Sequence, residues 1–233
     1  LDMAPDSFDD KYRDCVLAMT EELPALNRSE FQQNPHFAEI WVKAAAEWQS
    51  HGAPESSLSP PKAIAVTALT MGLYSIFNEK VRAAGSSRQE YQDNFHYKTL
   101  HFLLTQAVVT LRENQGRQCH DVYWGVPGVH FTAVVGQKVR FGYFALMPLS
   151  KKVAQGYGTD TMFQVHTCHG VNIEDFSYSL KNREVLIPPF ETFKVIGVTR
   201  EGEKPRIRLN YTEIYSNYSC EWLEGDSTGD SLG

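Results

Sequence analysis

The chain lacks most of the features that identify the commonest membrane proteins and ligand sites. No run of about 18 apolar residues occurs, so the sequence has no segment that would cross a membrane as a helix. Its four cysteines form no CxxC pair, which argues against a zinc site. The pattern GxGxxG is absent, so Rossmann-type dinucleotide binding is not supported. The chain starts at Leu1 without a signal peptide, as expected for a trimmed mature domain.

The chain also has fewer basic than acidic residues. The 22 Lys and Arg residues are outnumbered by 28 Asp and Glu residues, which gives a net charge of −6. Nucleic acid is disfavoured as a partner, because neutralising its phosphates requires a basic face. The chain has 233 residues, with 42% hydrophobic and 21% charged residues, and these values are ordinary for a globular protein. No linker or repeat is visible, so residues 1–223 are interpreted as a single domain.

The cysteines and the glycosylation sequons favour an oxidising, extracellular environment. Three N-x-S/T sequons occur, at Asn27, Asn210 and Asn217. An even number of cysteines agrees with secretion, because disulfides persist outside the cell. Two disulfides are therefore favoured over four reduced buried thiols, and the sequence alone leaves their pairing open. His166 and His169 flank Cys168, but so close to a disulfide we expect them to be structural, and we predict no metal site.

The first half of the chain has helical periodicity. Apolar residues recur every three or four positions in residues 12–19, 37–48 and, most clearly, 97–111. The first of these helices is expected to end before Pro24. Residues 1–112 are accordingly interpreted as the mainly helical part of the domain.

Two further segments belong to this helical part. Residues 63–77 are apolar and could form either a buried helix or a buried strand. Ser87 followed by Glu90 forms a capping-box pattern, which predicts the start of a short helix. The Ser- and Pro-rich residues 51–61 between these helices are interpreted as a loop.

After Gly116 the sequence becomes typical of short strands. β-Branched and aromatic segments follow one another about every 8–12 residues, as in a sandwich or two-sheet core. The predicted strands are residues 121–124, 129–135, 138–145, 161–167, 171–176, 184–187, 193–198 and 206–209. A short helix is expected over residues 150–156. Helices followed by strands indicate an α+β fold, with residues 117–223 mainly β and a disordered tail at 224–233.

One predicted strand carries polar side chains where a binding cleft would be expected. The segment KNREVLIPP places a short apolar run directly after Glu184 and ends it at two prolines. Asn182 lies two residues earlier, so on a strand Asn182 and Glu184 would point to the same face. A carboxylate and an amide side by side at a strand end could act on one ligand.

Five segments together resemble the vertebrate ecto-ADP-ribosyltransferases, the arginine-specific family that shares its core with clostridial-type toxins. They are LDMAPDSFDDKYRDC, YKTLHFLLTQAVVTL, VRFGYF, LSKKVAQ and EVLIPPFETFKV, and the resemblance extends over nearly the whole chain. The resemblance implies an N-terminal helical part followed by two roughly perpendicular sheets. It also implies the pairs Cys15–Cys220 and Cys119–Cys168. Members of the family are secreted or GPI-anchored, so an extracellular or cell-surface location is expected, with an anchor in the full-length form.

The chemistry of this family rests on an R-S-ExE pattern. An Arg in V-Y/F-R-G holds the pyrophosphate side of NAD as a fixed cation. A Ser in F-x-S-T-S supports the site on the next strand. The last Glu of ExE binds the nicotinamide ribose and stabilises the oxocarbenium ion as nicotinamide leaves. The first Glu orients and deprotonates the acceptor guanidinium. NAD would thus be a substrate, an arginine-containing protein the acceptor, and no cofactor would be bound permanently.

The first two positions of this pattern differ in the present sequence. The first strand is V-Y-W-G, so Trp124 stands at the position of the Arg and offers only an indole N–H without charge. The next strand is F-A-L-M-P-L, so Leu146 replaces the Ser and brings no hydroxyl. Met147 and Pro148 follow it. We expect Trp124 to pack with these three apolar residues and to fill the cleft, although stacking on a flat ligand ring is the alternative.

The ExE positions are changed in part. Asn182 replaces the first Glu and cannot accept a proton at neutral pH, whereas Glu184 is retained. Glu184 would either contact a nucleotide or remain as a strand-end carboxylate. Arg183 is interpreted as a solvated surface charge. Gly125 would either allow close approach of NAD, as in the family, or serve as a turn glycine.

Two functions remain open from the sequence. The first is an extracellular ADP-ribosyltransferase-like protein with a degenerate NAD site, weak or inactive in arginine ADP-ribosylation, that acts as a binding or surface protein. The second is a working arginine mono-ADP-ribosyltransferase or NAD glycohydrolase that relies on Glu184. The loss of a charged group and of a general base should each lower the rate by about 10²–10⁴, which favours the first.

Overall fold

The computed structural model describes residues 1–50, 57–178 and 183–224. Helices α1 to α6 come first and are Val16–Gln33, Pro35–Ser50, Pro60–Ala68, Tyr74–Ala84, Arg88–Asn94 and Lys98–Asn114. A seventh helix, α7, follows later at Lys151–Tyr157. The strands β1 to β8 are His120–Val126, Lys138–Val139, Ala145–Pro148, Thr161–Thr167, Val171–Asn172, Glu184–Ile187, Glu191–Glu201 and Lys204–Ile214. The predicted α+β order, helices before strands, is confirmed.

The strands form two sheets. The larger sheet has five strands in the order β1-β4-β8-β7-β2, and the smaller has three in the order β3-β6-β5. Strands β4 and β8 run parallel, whereas the other paired strands are antiparallel. The predicted two-sheet core is therefore present.

Two apolar clusters hold these layers together. The first, here the helical cluster, lies between the helices and the small sheet, and its members include Met19, Phe37, Phe77, Leu104 and Leu186. The second, the intersheet cluster, includes Val122, Met147, Phe163, Val185 and Phe193. Neighbouring residues of β6 belong to different clusters, because successive side chains of a strand point to opposite faces. The small sheet is thus buried on both sides.

Helix α1 extends through Pro24, so the prediction that it ends before this residue is wrong. A proline inside a helix cannot donate its backbone hydrogen bond, and the carbonyl of Thr20, four residues earlier, loses its usual partner. Both residues are exposed, so water can satisfy this carbonyl. Contacts of α1 with α2 and α6 stabilise the helix beyond the proline.

The apolar segment at residues 63–77 is helical, but it is interrupted. A π-type turn, Leu69–Leu73, separates α3 from α4, and Gly72 has a φ of +121° inside it. Residues other than glycine rarely adopt this conformation, so the glycine permits the change of direction. The turn sets the orientation of α4, which begins at Tyr74.

Several other local predictions are confirmed. The Ser87 side chain accepts a hydrogen bond of 3.0 Å from the backbone N–H of Glu90 and caps α5. Ser150 caps α7 in the same way through the N–H of Val153. Strands β4 and β6 have the predicted bounds.

Three predicted strands are shorter than expected or do not form. Residues 129–135 contain no strand, residues 138–145 contribute only β2 and the start of β3, and residues 171–176 contribute only β5. β-Branched composition indicates that a segment fits a pleated surface, but a strand also needs a neighbour to pair with. Residues 51–56, and residues 225–233 of the tail, lie outside the described ranges. The single-domain interpretation of residues 1–223 stays a prediction.

The N-terminal segment is tied to the end of the β part. Residues 1–15 are not helical, and the buried carboxylate of Asp9 pairs with Arg140 at 2.7 Å. The carboxylate of Asp10 accepts hydrogen bonds from the backbone N–H groups of Cys220 and Glu221, both at 2.9 Å. The disulfide Cys15–Cys220 closes the same junction, and Cys119–Cys168 links the ends of β1 and β4. Both disulfide pairings implied by the family resemblance are confirmed.

No helix in the described part of the chain is both long enough and apolar enough to cross a bilayer.

Candidate functional site

Glu184 is the first residue of β6 and is held firmly by its backbone. It lies opposite Pro148 of β3, and its carbonyl accepts a hydrogen bond of 3.1 Å from the N–H of Ile173. One residue earlier, the carbonyl of Arg183 accepts a bond of 3.0 Å from the N–H of Leu149. The predicted carboxylate at a strand end is therefore present, and both neighbouring strands fix its position.

The side chain of Glu184 is half-buried. Burial raises the pKa of this carboxyl above its usual value. No residue within the described ranges donates a hydrogen bond to the carboxylate or forms an ion pair with it. Such a group can accept a bond from a ligand, which is what the retained last Glu of the family pattern requires.

A tyrosine that sequence reasoning missed, Tyr74, is close enough to this carboxylate for the charge of Glu184 to affect its pKa. The hydroxyl oxygen of Tyr74 accepts a hydrogen bond of 3.1 Å from the backbone N–H of Leu146. Burial raises the pKa of Tyr74 well above its usual value, and the charges of Tyr143 and Glu184 act in the same direction. Tyr74 therefore stays a neutral hydroxyl near Glu184. The one signal in the sequence was Gly72, a glycine in an otherwise helical apolar segment.

Leu146 occupies the position where the family resemblance predicts a serine. Its side chain is half-buried and packs against the helical cluster, while Met147 belongs to the intersheet cluster. The expectation that both would pack with Trp124 is wrong for Leu146, because adjacent residues of β3 point to opposite faces. On the face that carries Glu184, Leu146 contributes an apolar side chain and the site gains no hydroxyl from β3.

Trp124 lies in an aromatic group within the intersheet cluster. Its ring stacks on Phe163 with 4.8 Å between centroids and 21° between planes. Phe131 and Phe141 each contact it at 5.7 Å. The indole is half-buried by these rings. This packing is the arrangement expected of a residue that fills space rather than one that binds an anion.

Gly125 is needed where it stands because helix α7 packs against it. A Cβ atom at this position would lie 2.1 Å from the carbonyl oxygen of Ala154 and 2.3 Å from that of Gly158. The close approach expected of a ligand is thus made by the backbone of the chain itself. A role of Gly125 in nucleotide binding stays a prediction.

The other two positions of the ExE pattern are Asn182 and Arg183. Asn182 lies outside the described residues. Arg183 is exposed, and its Nε lies 3.3 Å from the carboxylate of Glu174. This is a surface ion pair, in agreement with the interpretation of Arg183 as a solvated charge.

The residues around the second disulfide have structural roles. The sulfur atoms of Cys119 and Cys168 lie within 4.8 Å of a ring nitrogen of His166, but the two sulfurs are bonded to each other. His166 instead pairs with Asp121 through Nδ1 at 2.8 Å. Because a disulfide sulfur is not a thiolate, this group does not fit a metal ion in its oxidised form.

The buried carboxylate of Glu191 was also missed by sequence reasoning. Glu191 at the start of β7 accepts hydrogen bonds from the Thr167 hydroxyl and from the backbone N–H groups of Cys168 and His169. Burial raises its pKa to about 7, although these hydrogen bonds oppose the shift. Glu191 therefore fixes the loop that carries the disulfide, at a distance in the sequence that no local pattern reveals.

The three sequons differ in exposure. Asn217 is exposed in the segment after β8, whereas Asn27 in α1 and Asn210 in β8 are half-buried. The Oδ1 atom of Asn27 is buried without a hydrogen-bond partner. Glycosylation at any of the three stays a prediction.

Comparison with known proteins agrees with the fold. The sequence profile of the family described as ART: NAD:arginine ADP-ribosyltransferase matches residues 1–217. Erythroblast NAD(P)(+)--arginine ADP-ribosyltransferase of Gallus gallus is 47% identical over 229 residues, covering 96% of this chain and 76% of that protein. GPI-linked NAD(P)(+)--arginine ADP-ribosyltransferase 1 of Mus musculus is 44% identical over 238 residues, covering 96% and 73%.

A solved structure extends this similarity to three dimensions. The crystal structure of the eukaryotic mono-ADP-ribosyltransferase ART2.2 matches with a TM-score of 0.81 and 34% identity. The match covers 94% of this chain and 97% of that one. Mutants of ART2.2 have been solved in complex with NADH and with NAD. With its helical part, its two sheets and its two disulfides, the chain belongs to the NAD:arginine ADP-ribosyltransferase family.

Proposed function

We propose that this chain is an extracellular ADP-ribosyltransferase-like protein with a degenerate NAD site, weak or inactive in arginine ADP-ribosylation, that acts as a binding or surface protein. The observation that carries the proposal is the packing of Trp124 against Phe131, Phe141 and Phe163 at the position where the family pattern has an arginine. A side chain that packs in this way cannot hold a pyrophosphate as a guanidinium does.

The lost groups act on different parts of the reaction. A cation at position 124 would bind the charged dinucleotide, and a hydroxyl at position 146 would support the reacting centre. A carboxylate at position 182 would take the proton of the acceptor guanidinium. Loss of the cation and loss of the general base would each lower the rate by about 10²–10⁴. The retained Glu184 alone does not compensate for these losses.

Relatives and covalent structure support the extracellular location. The mouse relative is GPI-linked by name, and both cysteine pairs of this chain are disulfides. Disulfides of this kind persist in oxidising surroundings. The proposed partner is a protein at the cell surface, with nucleic acid disfavoured by the net charge of −6.

An active enzyme is the second candidate, and one observation favours it. Glu184 keeps a half-buried carboxylate with a raised pKa, and the neutral hydroxyl of Tyr74 lies near it. A carboxylate and a hydroxyl could bind the nicotinamide ribose without help from position 182. The reaction would then be hydrolysis of NAD or transfer to arginine.

A turnover assay separates the two candidates. The protein is mixed with etheno-NAD and an arginine analogue, and fluorescence and product mass are followed, with the mouse relative as positive control. The proposal predicts no turnover above buffer. Turnover that disappears in Glu184→Gln would overturn it in favour of the second candidate. Isothermal titration with NAD then distinguishes a filled cleft, which gives no heat of binding, from a silent binder.

A further inference from the structure

The outer face of the large sheet carries a row of polar side chains that the nucleotide chemistry does not use. Tyr123 of β1 lies opposite Gln164 of β4, and Gln164 lies opposite Arg208 of β8. Paired residues of neighbouring strands point to the same face of a sheet. Trp124 points inward to the intersheet cluster, so this row lies on the other side of β1 from the predicted NAD site.

A bulge in β7 extends this row and makes room for Arg208. The register of β7 and β8 shifts between Val195 and Gly197, which places Gly197 opposite Arg208. Bulges of this kind redirect side chains, and a glycine inside a strand often marks a close approach. A Cβ atom on Gly197 would lie 2.8 Å from both Nε and Nη2 of Arg208. The guanidinium therefore lies across the strand where a side chain is missing.

Arg208 is a cation of this face without a counter-ion among the described residues. It is exposed, and within the described residues no carboxylate pairs with it. Its neighbours differ in this respect, because Arg206 pairs with Glu201 at 3.0 Å and His166 pairs with Asp121 at 2.8 Å. The positive charge of Arg208 is thus available to a ligand.

Two recesses meet at Arg208. One has a volume of about 240 Å³ and is lined by Tyr123, Lys151, Thr199 and Gln164 in addition to the arginine. Glu201 and Arg206 also border it, already paired with each other. The other recess, of about 270 Å³, shares Gln164 and Arg208 but contains no second Lys or Arg. The first recess therefore combines two cations from different elements with hydroxyl and amide donors.

We propose that this recess binds the phosphate group of a small phosphate monoester. Arg208 would hold two phosphate oxygens through its paired N–H groups, a geometry that guanidinium groups favour. Lys151 at the start of α7 would supply the second positive charge. Two positive charges favour a phosphate dianion as the ligand over a carboxylate, which carries only one negative charge. Tyr123 and Gln164 would donate hydrogen bonds from the floor.

The test uses the whole protein and two probes, inorganic phosphate and phenyl phosphate, whose ring can extend over Tyr123. Binding is followed by backbone amide shifts and by isothermal titration, with acetate as the monoanionic control. Saturable binding of both phosphates is expected, and acetate should bind at least about tenfold more weakly. Arg208→Gln should weaken phosphate binding by about tenfold or more, since it removes the bidentate donor.

Matched variants make the geometry testable. Gly197→Ala leaves every proposed donor in place but displaces Arg208, so it should also weaken binding. Gly156→Ala adds the same methyl group in open space, and Arg200→Gln removes a charge elsewhere on β7, so both should bind as the unchanged protein does.

Arg208→Lys, which keeps the charge, covers the case in which Arg208→Gln does not fold, and should bind less tightly than the unchanged protein. No saturable binding, equal affinity for acetate, or phosphate binding that is unchanged by the Arg208 variants would overturn the proposal.

Discussion

Trp124 and Phe163 are direct partners across β1 and β4, and their rings stack with centroids 4.8 Å apart. Such cross-strand aromatic pairs stabilise a sheet in addition to the area they bury. The position that the family pattern reserves for a cation thus contributes to the core of this chain. At this position, packing of the indole in the intersheet cluster helps to hold the two sheets together.

This packing predicts a cost when the indole is removed. We expect Trp124→Ala to lower the free energy of unfolding by about 2–3 kcal/mol, somewhat less than a fully buried tryptophan because the ring is half-buried. Urea unfolding measures the change. Leu17→Ala is the control, since Leu17 is 82% exposed and its loss should change stability little. Equal stability of the two variants would contradict a packing role for Trp124.

A second prediction concerns restoration of the family pattern. The combined variant Trp124→Arg, Leu146→Ser and Asn182→Glu should bind NAD more tightly than the unchanged chain does, because the cation, hydroxyl and carboxylate return together. Isothermal titration with NAD measures the gain. Trp124→Arg alone should lose stability, since it places a charge among three aromatic rings.

The companion control for restoration is the same triple variant with Glu184→Gln added, which should bind NAD but not turn it over. If the triple variant still does not bind NAD, either these positions are wrongly aligned with the family pattern or the chain does not retain the cleft. Recovery of binding without Leu146→Ser would show that the hydroxyl of Tyr74 already serves the site.

Local patterns predicted some elements of this fold closely. The bounds of β4 and β6 follow from short apolar runs that end at Gly, Pro or Asn, and α6 follows from its 3.6-residue period. Both disulfide pairs came from the family resemblance and not from the residues themselves. In each case the information needed for the prediction lies within the segment itself or within the family pattern.

The features that were missed depend on contacts between distant segments. Tyr74 reaches Leu146 only because the turn at Gly72 redirects α4, and Glu191 meets the loop after β4 only when the sheets are formed. Residues 129–135 have β-branched composition but no strand, because pairing depends on neighbours that composition does not specify. The opposite orientations of Leu146 and Met147 could have been predicted from alternation along β3.

The two disulfides should differ in their contribution to stability. Cys15–Cys220 spans 205 residues and Cys119–Cys168 spans 49. In the chain-entropy model the longer loop contributes about 1 kcal/mol more than the shorter one. Urea unfolding of the two Cys→Ser double variants under non-reducing conditions tests this order. A larger loss from the Cys119–Cys168 pair would show that native contacts, such as those of Asp10 with the segment at Cys220, outweigh loop entropy.

Exposure predicts which sequon carries a glycan. Asn217 is exposed, whereas Asn27 and Asn210 are half-buried in a helix and in a central strand. In secreted protein we expect Asn217 to be occupied and the other two to be largely free. Mass spectrometry of peptides after glycosidase treatment measures occupancy, with Asn217→Gln as the control that should lose the modification. A glycan on Asn27 would contradict the buried position of its Oδ1 atom.

We expect the free energy of unfolding to depend on pH partly through the protonation of His101. Its ring is fully buried, with Nδ1 2.6 Å from the Tyr12 hydroxyl and Nε2 2.8 Å from the Phe8 carbonyl. Burial lowers its pKa to about 4, although the bond to Phe8 opposes the shift. Between about pH 6.5 and pH 4 the unfolded chain therefore binds a proton at this residue that the folded chain does not.

His101 thus stabilises the fold fully above about pH 6.5, and this contribution should be lost as the pH falls towards 4, by roughly 3 kcal/mol at most. Glu191 acts in the opposite direction, because its raised pKa of about 7 favours the folded state on acidification. The measurement is consequently a difference, the free energy of unfolding at pH 7 and at pH 4.5 for the unchanged chain and for His101→Gln. The unchanged chain should lose more stability over this interval than the variant does, because the glutamine does not titrate. Equal losses would show that His101 is protonated in the folded state or that the segment around Phe8 opens before the chain unfolds.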